Sequence, residues 1–223
     1  MYETSTAAPG EVEFENWVTW KTDAPANSRF DQVDFRHELE FGITDRFQAS
    51  VYLADWSYVE DPHEHQHGSR YTDSAVELIY RLTNPVTDLL GSAIYGEIRG
   101  GDNLVELETK VILQKNLGPF VLAYNATLEA VWKGDKLGER LGEFSQSAGL
   151  SYEVTPAILI GFEVLHEIDI PDWSHAGPSI LYGGPNVSYR HGNWYVTLTP
   201  LAQLTGVKNE VDVQTRMIVG IEF

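Results

Sequence analysis

Cysteine is absent from this chain of 223 residues. Disulfide frameworks, thiolate metal sites and cysteine nucleophiles are therefore excluded. Bases are scarce: 15 Lys and Arg stand against 33 Asp and Glu, for a formal charge of −18. So acidic a chain repels phosphate, which rules against nucleic acid as a partner. Long apolar runs are missing as well, and no stretch approaches the roughly 20 apolar residues of a membrane helix. A recurring period of 3.6, the mark of an amphipathic helix, is missing too. Met1–Gly10 has no basic start and no apolar stretch, so no signal peptide is read there.

What the chain does have is alternation. Val33, Phe35, His37, Leu39, Phe41 and Ile43 share one face of a segment, and Asp34, Arg36, Glu38 and Glu40 take the other. Period two is the strand signal. Twelve such segments follow one another: 11–20, 31–43, 46–57, 71–82, 89–99, 104–115, 119–132, 142–154, 157–167, 179–190, 194–204 and 211–223. They exceed the five or six residues usual in globular strands and match the roughly 9–11 of a tilted membrane-spanning strand. Segment by segment, the more apolar parity reads as free of Asp, Glu, Lys and Arg. A lipid-facing surface demands that, and the charge is left to a wet or salt-bridged lumen.

The connections alternate in kind. Tight turns at Thr44–Asp45, Asn116–Gly118, Val154–Pro156 and His191–Asn193 mark one end; longer polar loops at 21–30, 58–70, 133–141 and 168–178 mark the other. Phe41, Phe47, Phe120, Tyr152, Tyr189, Trp194 and Phe223 lie on the apolar parity near the tight turns. Trp20 and Trp132 lie near the loops. These are girdles of the kind that sit at membrane interfaces. The expected fold is an all-β, twelve-stranded antiparallel transmembrane barrel over residues 11–223, with short periplasmic turns, longer extracellular loops and an N-terminal periplasmic segment at 1–10.

The pattern resembles a bacterial outer-membrane β-barrel. The alternating last strand, Val211–Phe223, ends in Phe and resembles the signal read by the barrel-assembly machinery. The stretch from Glu38 to Gln48, and more loosely Gly184–Arg190, resembles small predicted transporters of the meta-pathway phenol-degradation type. The resemblance implies an outer-membrane location, contact with outer-membrane lipid, and a transport role for an unspecified small solute.

Twelve strands are an intermediate size: eight fill their interior and sixteen leave an open channel. Three functions fit: a narrow channel for small solutes, a closed structural or partner-binding barrel within an envelope assembly, and a membrane-embedded hydrolase. The channel ranks first and the hydrolase last. The residues expected to line the lumen are Arg36, Glu38, Glu40, Glu77, Arg81, Glu97, Arg99, Glu106, Glu108, Lys110, Glu129, Glu163, Asp212 and Arg216. Acids outnumber bases among them, so a passage would favour cations. Paired carboxylates such as Glu106 with Glu108 recur on too many strands to single out a hydrolase pair. His37 and His166 sit on the apolar parity with Asn16 nearby, but no serine can be placed beside them, so no catalytic residue is assigned. His63, His65 and His67, spaced by two, would point the same way in an extended loop and suit zinc, copper or nickel. No cofactor is expected.

Overall fold

The computed structural model describes residues 1–24 and 26–223; Pro25, within the expected loop 21–30, lies outside the described residues. Alternating sequence produces twelve strands: β1 (Val12–Ala24), β2 (Asn27–Thr44), β3 (Phe47–Asp61), β4 (Gln66–Thr83), β5 (Gly91–Gly101), β6 (Leu104–Leu117), β7 (Phe120–Lys133), β8 (Glu139–Thr155), β9 (Ile158–Pro171), β10 (Ile180–His191), β11 (Trp194–Gln203) and β12 (Val213–Glu222). Each pairs antiparallel with its sequence neighbours, and β12 returns to β1 to close the barrel. The closing seam runs from Glu13 opposite Glu222 to Thr22 opposite Val213. Among the described residues, closure leaves no strand of the barrel at an edge, as backbone in hydrocarbon requires.

The barrel is inside-out. Leu53, Ile98 and Phe162 are each more than half exposed on the outer wall, while Glu38 and Glu77 are fully buried within. A contiguous apolar belt around a polar interior is the surface of a membrane-spanning barrel. Aromatic rings gather at both rims. Phe120 meets Tyr152 at 5.0 Å and Tyr189 meets Trp194 at 5.5 Å near the turns, and Trp132 meets Trp173 at 5.2 Å near the loops.

The strands run further than their alternation suggests. β2 begins at Asn27 and β3 extends to Asp61, so the expected loops 21–30 and 58–70 are largely strand. Cross-strand pairing carries polar residues beyond the apolar belt, where sequence alternation gives no signal. Conversely, the 84–90 connection on the turn side is longer than several loops opposite.

The charge-free parity also has exceptions. Asp31 and Lys115 lie at segment ends, and Lys115 donates to the Asp88 carbonyl at 2.9 Å. Asp55 is different. Straight alternation from Phe47 would put it in lipid, but the register slips between Tyr52 and Asp55. The bulge turns Asp55 inward, where it is buried against Arg36 at 2.9 Å.

Residues 1–10, expected as a periplasmic segment, run into the barrel, where Tyr2 and Thr4 bond to wall side chains. The chain reverses at Gly10, whose φ is +84°, and enters the lumen from the turn end. Gly10 donates to Gly42 O at 2.8 Å and Gly42 donates to Glu11 O at 3.0 Å. A Cβ on Gly42 would run into the Ala8 carbonyl, so glycine is what lets the segment lie against β2.

The wall makes a direct prediction. Leu122 faces outward and Thr127, five residues on in β7, is buried in the lumen. Leu122→Arg is expected to destabilise the barrel by roughly 2–4 kcal/mol if near the midplane, and Thr127→Arg by less. Urea unfolding in lipid vesicles, followed by heat-modifiable gel mobility, measures both.

Candidate functional site

The lumen is built from inward side chains of every strand. One charge network spans β2 to β6. Arg36 bridges Asp55 and Glu97 at 2.9 and 3.0 Å, and Arg99 joins Glu97, Asp73 and Glu106 at 2.8, 3.4 and 3.7 Å. Lys110 pairs with Glu108 at 2.7 Å, and Tyr95 donates to Glu97 at 2.9 Å. Across the lumen Arg216 pairs with Glu163. Each buried base is thus matched by at least one acid, which is the condition for keeping it charged away from water.

Into this lining runs the N-terminal strap. Asn125 clamps the Tyr2 backbone, accepting from its N–H at 2.8 Å and donating to its carbonyl at 3.0 Å. The Tyr2 hydroxyl donates to Glu77 at 3.0 Å. Its ring lies under Lys110 Nζ at 4.0 Å and meets Tyr95 and Trp17 at 5.1 and 5.9 Å. Gln114 Oε1 accepts from both the backbone N–H and the hydroxyl of Thr4, at 2.7 and 2.9 Å. Ala7 N–H donates to Gln48 at 2.8 Å. The backbone groups of Tyr2, the Thr4 N–H and the Ala7 N–H, which have no strand partner, are thereby satisfied by wall side chains.

The strap divides the remaining space. A cavity of about 450 Å³ opens toward the loops, lined among others by Arg36, Asp55, Arg99, Glu108 and Glu129. A second, of about 530 Å³, opens toward the turns, lined by Glu13, Glu15, Glu40, Arg190 and Tyr195. Met1, Tyr2, Trp17 and Arg216 line both. The two cavities therefore adjoin at Met1 and Tyr2, near mid-barrel.

Arg36, Glu97, Arg99, Glu106, Glu108 and Lys110 come together on the inner wall, as do Glu163 and Arg216. Glu38 and Glu40 form a separate group with Glu15, within 4.8 Å of one another. Glu77 is held by Tyr2 and Tyr52. Two expected lining residues sit at the rims instead. Arg81 donates to the Asp45 carbonyl in the β2–β3 turn, and Asp212 precedes β12, its N–H bonded to Asp23 O at 2.8 Å. Alternation locates a face but not the height of a residue along the wall.

The three histidines do not form a ligand set. Among the described residues, only carboxylates gather three ligand atoms within 4.8 Å. The chain turns over 62–65 with His65 at φ +52°, so the extended geometry that would align them is absent. His63 lies at a cavity by the loops and His67 is already in β4, edge-on to Tyr58. His166 has a serine beside it, contrary to the sequence reading: Ser179 lies 2.7 Å from Nε2. Its other nitrogen is 3.5 Å from Gln146, whose oxygen is taken by the Tyr124 hydroxyl at 2.6 Å. A neutral amide at that distance is a poor orienter for a catalytic imidazole. Asn16 instead stands opposite His37 on the neighbouring strand.

The sequence matches the model of a family of unknown function, DUF6662, over residues 1–218. The chain belongs to that family. No curated protein matches it. In fold it is similar to the COG4313 outer membrane channel from Pseudomonas putida F1, with a TM-score of 0.69 and 13% identity, covering 100% of this chain and 99% of that one. It is also similar to the NanC porin, with a TM-score of 0.60 and 11% identity over 94% of this chain and 98% of that one. The KdgM porin, solved with disordered oligogalacturonate, gives 0.55 and 11% over 96% and 98%. At such identities the likeness is one of fold: the DUF6662 chain has the barrel of outer-membrane channels and porins.

The clamp residues were missed because a segment without alternation gives no clue to where it docks, although Gln48, Gln114 and Asn125 stand out as neutral amides on the lumen face. They can be tested one by one. The chain has no cysteine, so Thr4→Cys offers a unique thiol at a buried position. Adding Gln114→Ala removes the acceptor for the strap, a loss of about 1 kcal/mol per hydrogen bond. Labelling of Cys by a water-soluble maleimide is expected to speed up about fivefold or more.

Proposed function

We propose that this protein is an outer-membrane channel for small solutes, narrowed at mid-barrel by its own N-terminal strap and preferring cations. The observation that carries the reading is the pair of polar cavities meeting at Met1 and Tyr2. A scaffold with no passage to control needs no water-sized space on both sides of a single segment. The apolar belt and the fold shared with outer-membrane channels support the location. The alternating last strand ending at Phe223 supports delivery by the barrel-assembly machinery. The resemblance of the Glu38–Gln48 stretch to meta-pathway transporters supports a transport role and names no solute.

Cation preference rests on the charge ledger of the wall. Arg36, Arg99, Lys110 and Arg216 are each committed to carboxylates. Among the described residues, Glu13, Glu15, Glu38, Glu40, Glu129 and Glu143 have no ion-pair partner within 4 Å. The surplus of acids leaves a negative field that a narrow low-dielectric passage concentrates. No catalytic residue is assigned on this reading.

Planar-bilayer recording tests it. Full-length protein is expected to show small cation-selective conductance, read from the reversal potential in a salt gradient. Removal of residues 1–8 is expected to raise single-channel conductance about twofold or more, because the strap occupies the lumen between the two cavities. Silence from both forms would instead favour a closed structural or partner-binding barrel.

A further inference from the structure

Two groups of three carboxylates occupy the lumen wall, and they differ in one respect. Glu97, Glu106 and Glu108 are interleaved with Arg36, Arg99 and Lys110. Glu15, Glu38 and Glu40 have their ligand atoms equally close, within 4.8 Å of one another, yet no base among the described residues forms an ion pair with any of them. Backbone register puts them together by design of the pairing: Glu15 stands directly opposite Glu38, and Glu13 directly opposite Glu40. Like charges facing across a strand pair are destabilising unless something neutralises them.

Glu38 is the decisive member. It is fully buried, and neither of its carboxylate oxygens has a hydrogen-bond partner among the described residues. The nearby donors are spent elsewhere. Tyr52 donates to Glu77 at 2.7 Å, Trp17 Nε1 to Glu15 at 2.6 Å, Gln48 Nε2 to Glu40, and Tyr195 to Glu15. A fully buried carboxylate aimed at two others, without donor or base, has the chemistry of a ligand awaiting a cation.

We propose that Glu15, Glu38 and Glu40 form a binding site for a hard divalent cation of the Ca²⁺ class. Three oxygens within 4.8 Å of one another share a point no more than about 2.8 Å from each, close to the 2.3–2.6 Å of Ca²⁺ coordination. Mg²⁺ demands about 2.1 Å and near-ideal octahedral geometry, a stricter fit for three side chains on two strands. Three carboxylates, some bidentate, with water from the adjoining cavity, supply the six to eight oxygens that Ca²⁺ takes. The site needs the closed barrel and is independent of whether the barrel conducts.

The neighbouring indole provides the test. Trp17 touches Glu15, so Tb³⁺ bound in place of Ca²⁺ should be sensitised by tryptophan excitation. Titrating Tb³⁺ into the detergent-solubilised full chain is expected to give saturable luminescence that added Ca²⁺ displaces. Glu38→Gln is expected to weaken Tb³⁺ binding at least about tenfold by removing one charged ligand. Glu106→Gln, in the base-paired group, is expected to leave the titration as it was. Heat-modifiable mobility checks that each variant is folded; if Glu38→Gln does not fold, Glu40→Gln is read in its place. Absent luminescence, luminescence that Ca²⁺ does not displace, or unchanged affinity in the folded Glu38→Gln or Glu40→Gln variant overturns the proposal.

Discussion

The seam between β1 and β12 is the constraint on which the rest depends. A backbone N–H or C=O left unpaired in hydrocarbon costs several kcal/mol, so a sheet of this kind must close on itself or stay out of the membrane. Ten consecutive cross-strand pairs, from Glu13 with Glu222 to Thr22 with Val213, achieve the closure. Phe223 extends it with a bond from its N–H to Val12 O at 2.8 Å. Once closed, the wall has only two faces, and every side chain must suit lipid or lumen. The exposed leucines and isoleucines and the buried glutamates are consequences of that division.

Closure also creates an interior that must be neutralised. Twelve strands leave space that side chains do not fill, and the acids exceed the bases that enter it. The structure meets this in two ways. Around β2–β6, arginine and lysine are threaded among the carboxylates until each base has a partner. Along β1 and β2 the acids stand without bases, beside the cavity that opens to the turns. The strap lies between these regions, with Tyr2 under Lys110 on one side and Gln48 shared by Ala7 and Glu40 on the other. The strap is therefore part of the charge arrangement as well as an obstruction.

Much of this was legible in the sequence, since period two follows from strand geometry alone. It fixed twelve strands, their antiparallel order, the outward face and the aromatic rims. It also separated most lumen residues from the lipid-facing ones. It failed where geometry departs from a straight ladder. The bulge before Asp55 reverses parity locally, and no alternation announces it. Arg81 and Asp212 share the lumen parity but sit at the rims, because height along the wall depends on strand tilt and length.

The sequence by itself determined a membrane-facing barrel with an acidic interior, because face and charge are properties of residue order. Only the tertiary structure decided which acids meet which bases. That depends on register between strands distant in the chain, as when Arg36 on β2 reaches Glu97 on β5. It also decided that residues 1–10 enter the lumen, that the three histidines stay apart, and that Glu38 faces Glu15 without a donor. A segment with no periodicity carries no instruction about where it docks; the amides of Gln48, Gln114 and Asn125 supply one only after closure has brought three separate strands around it.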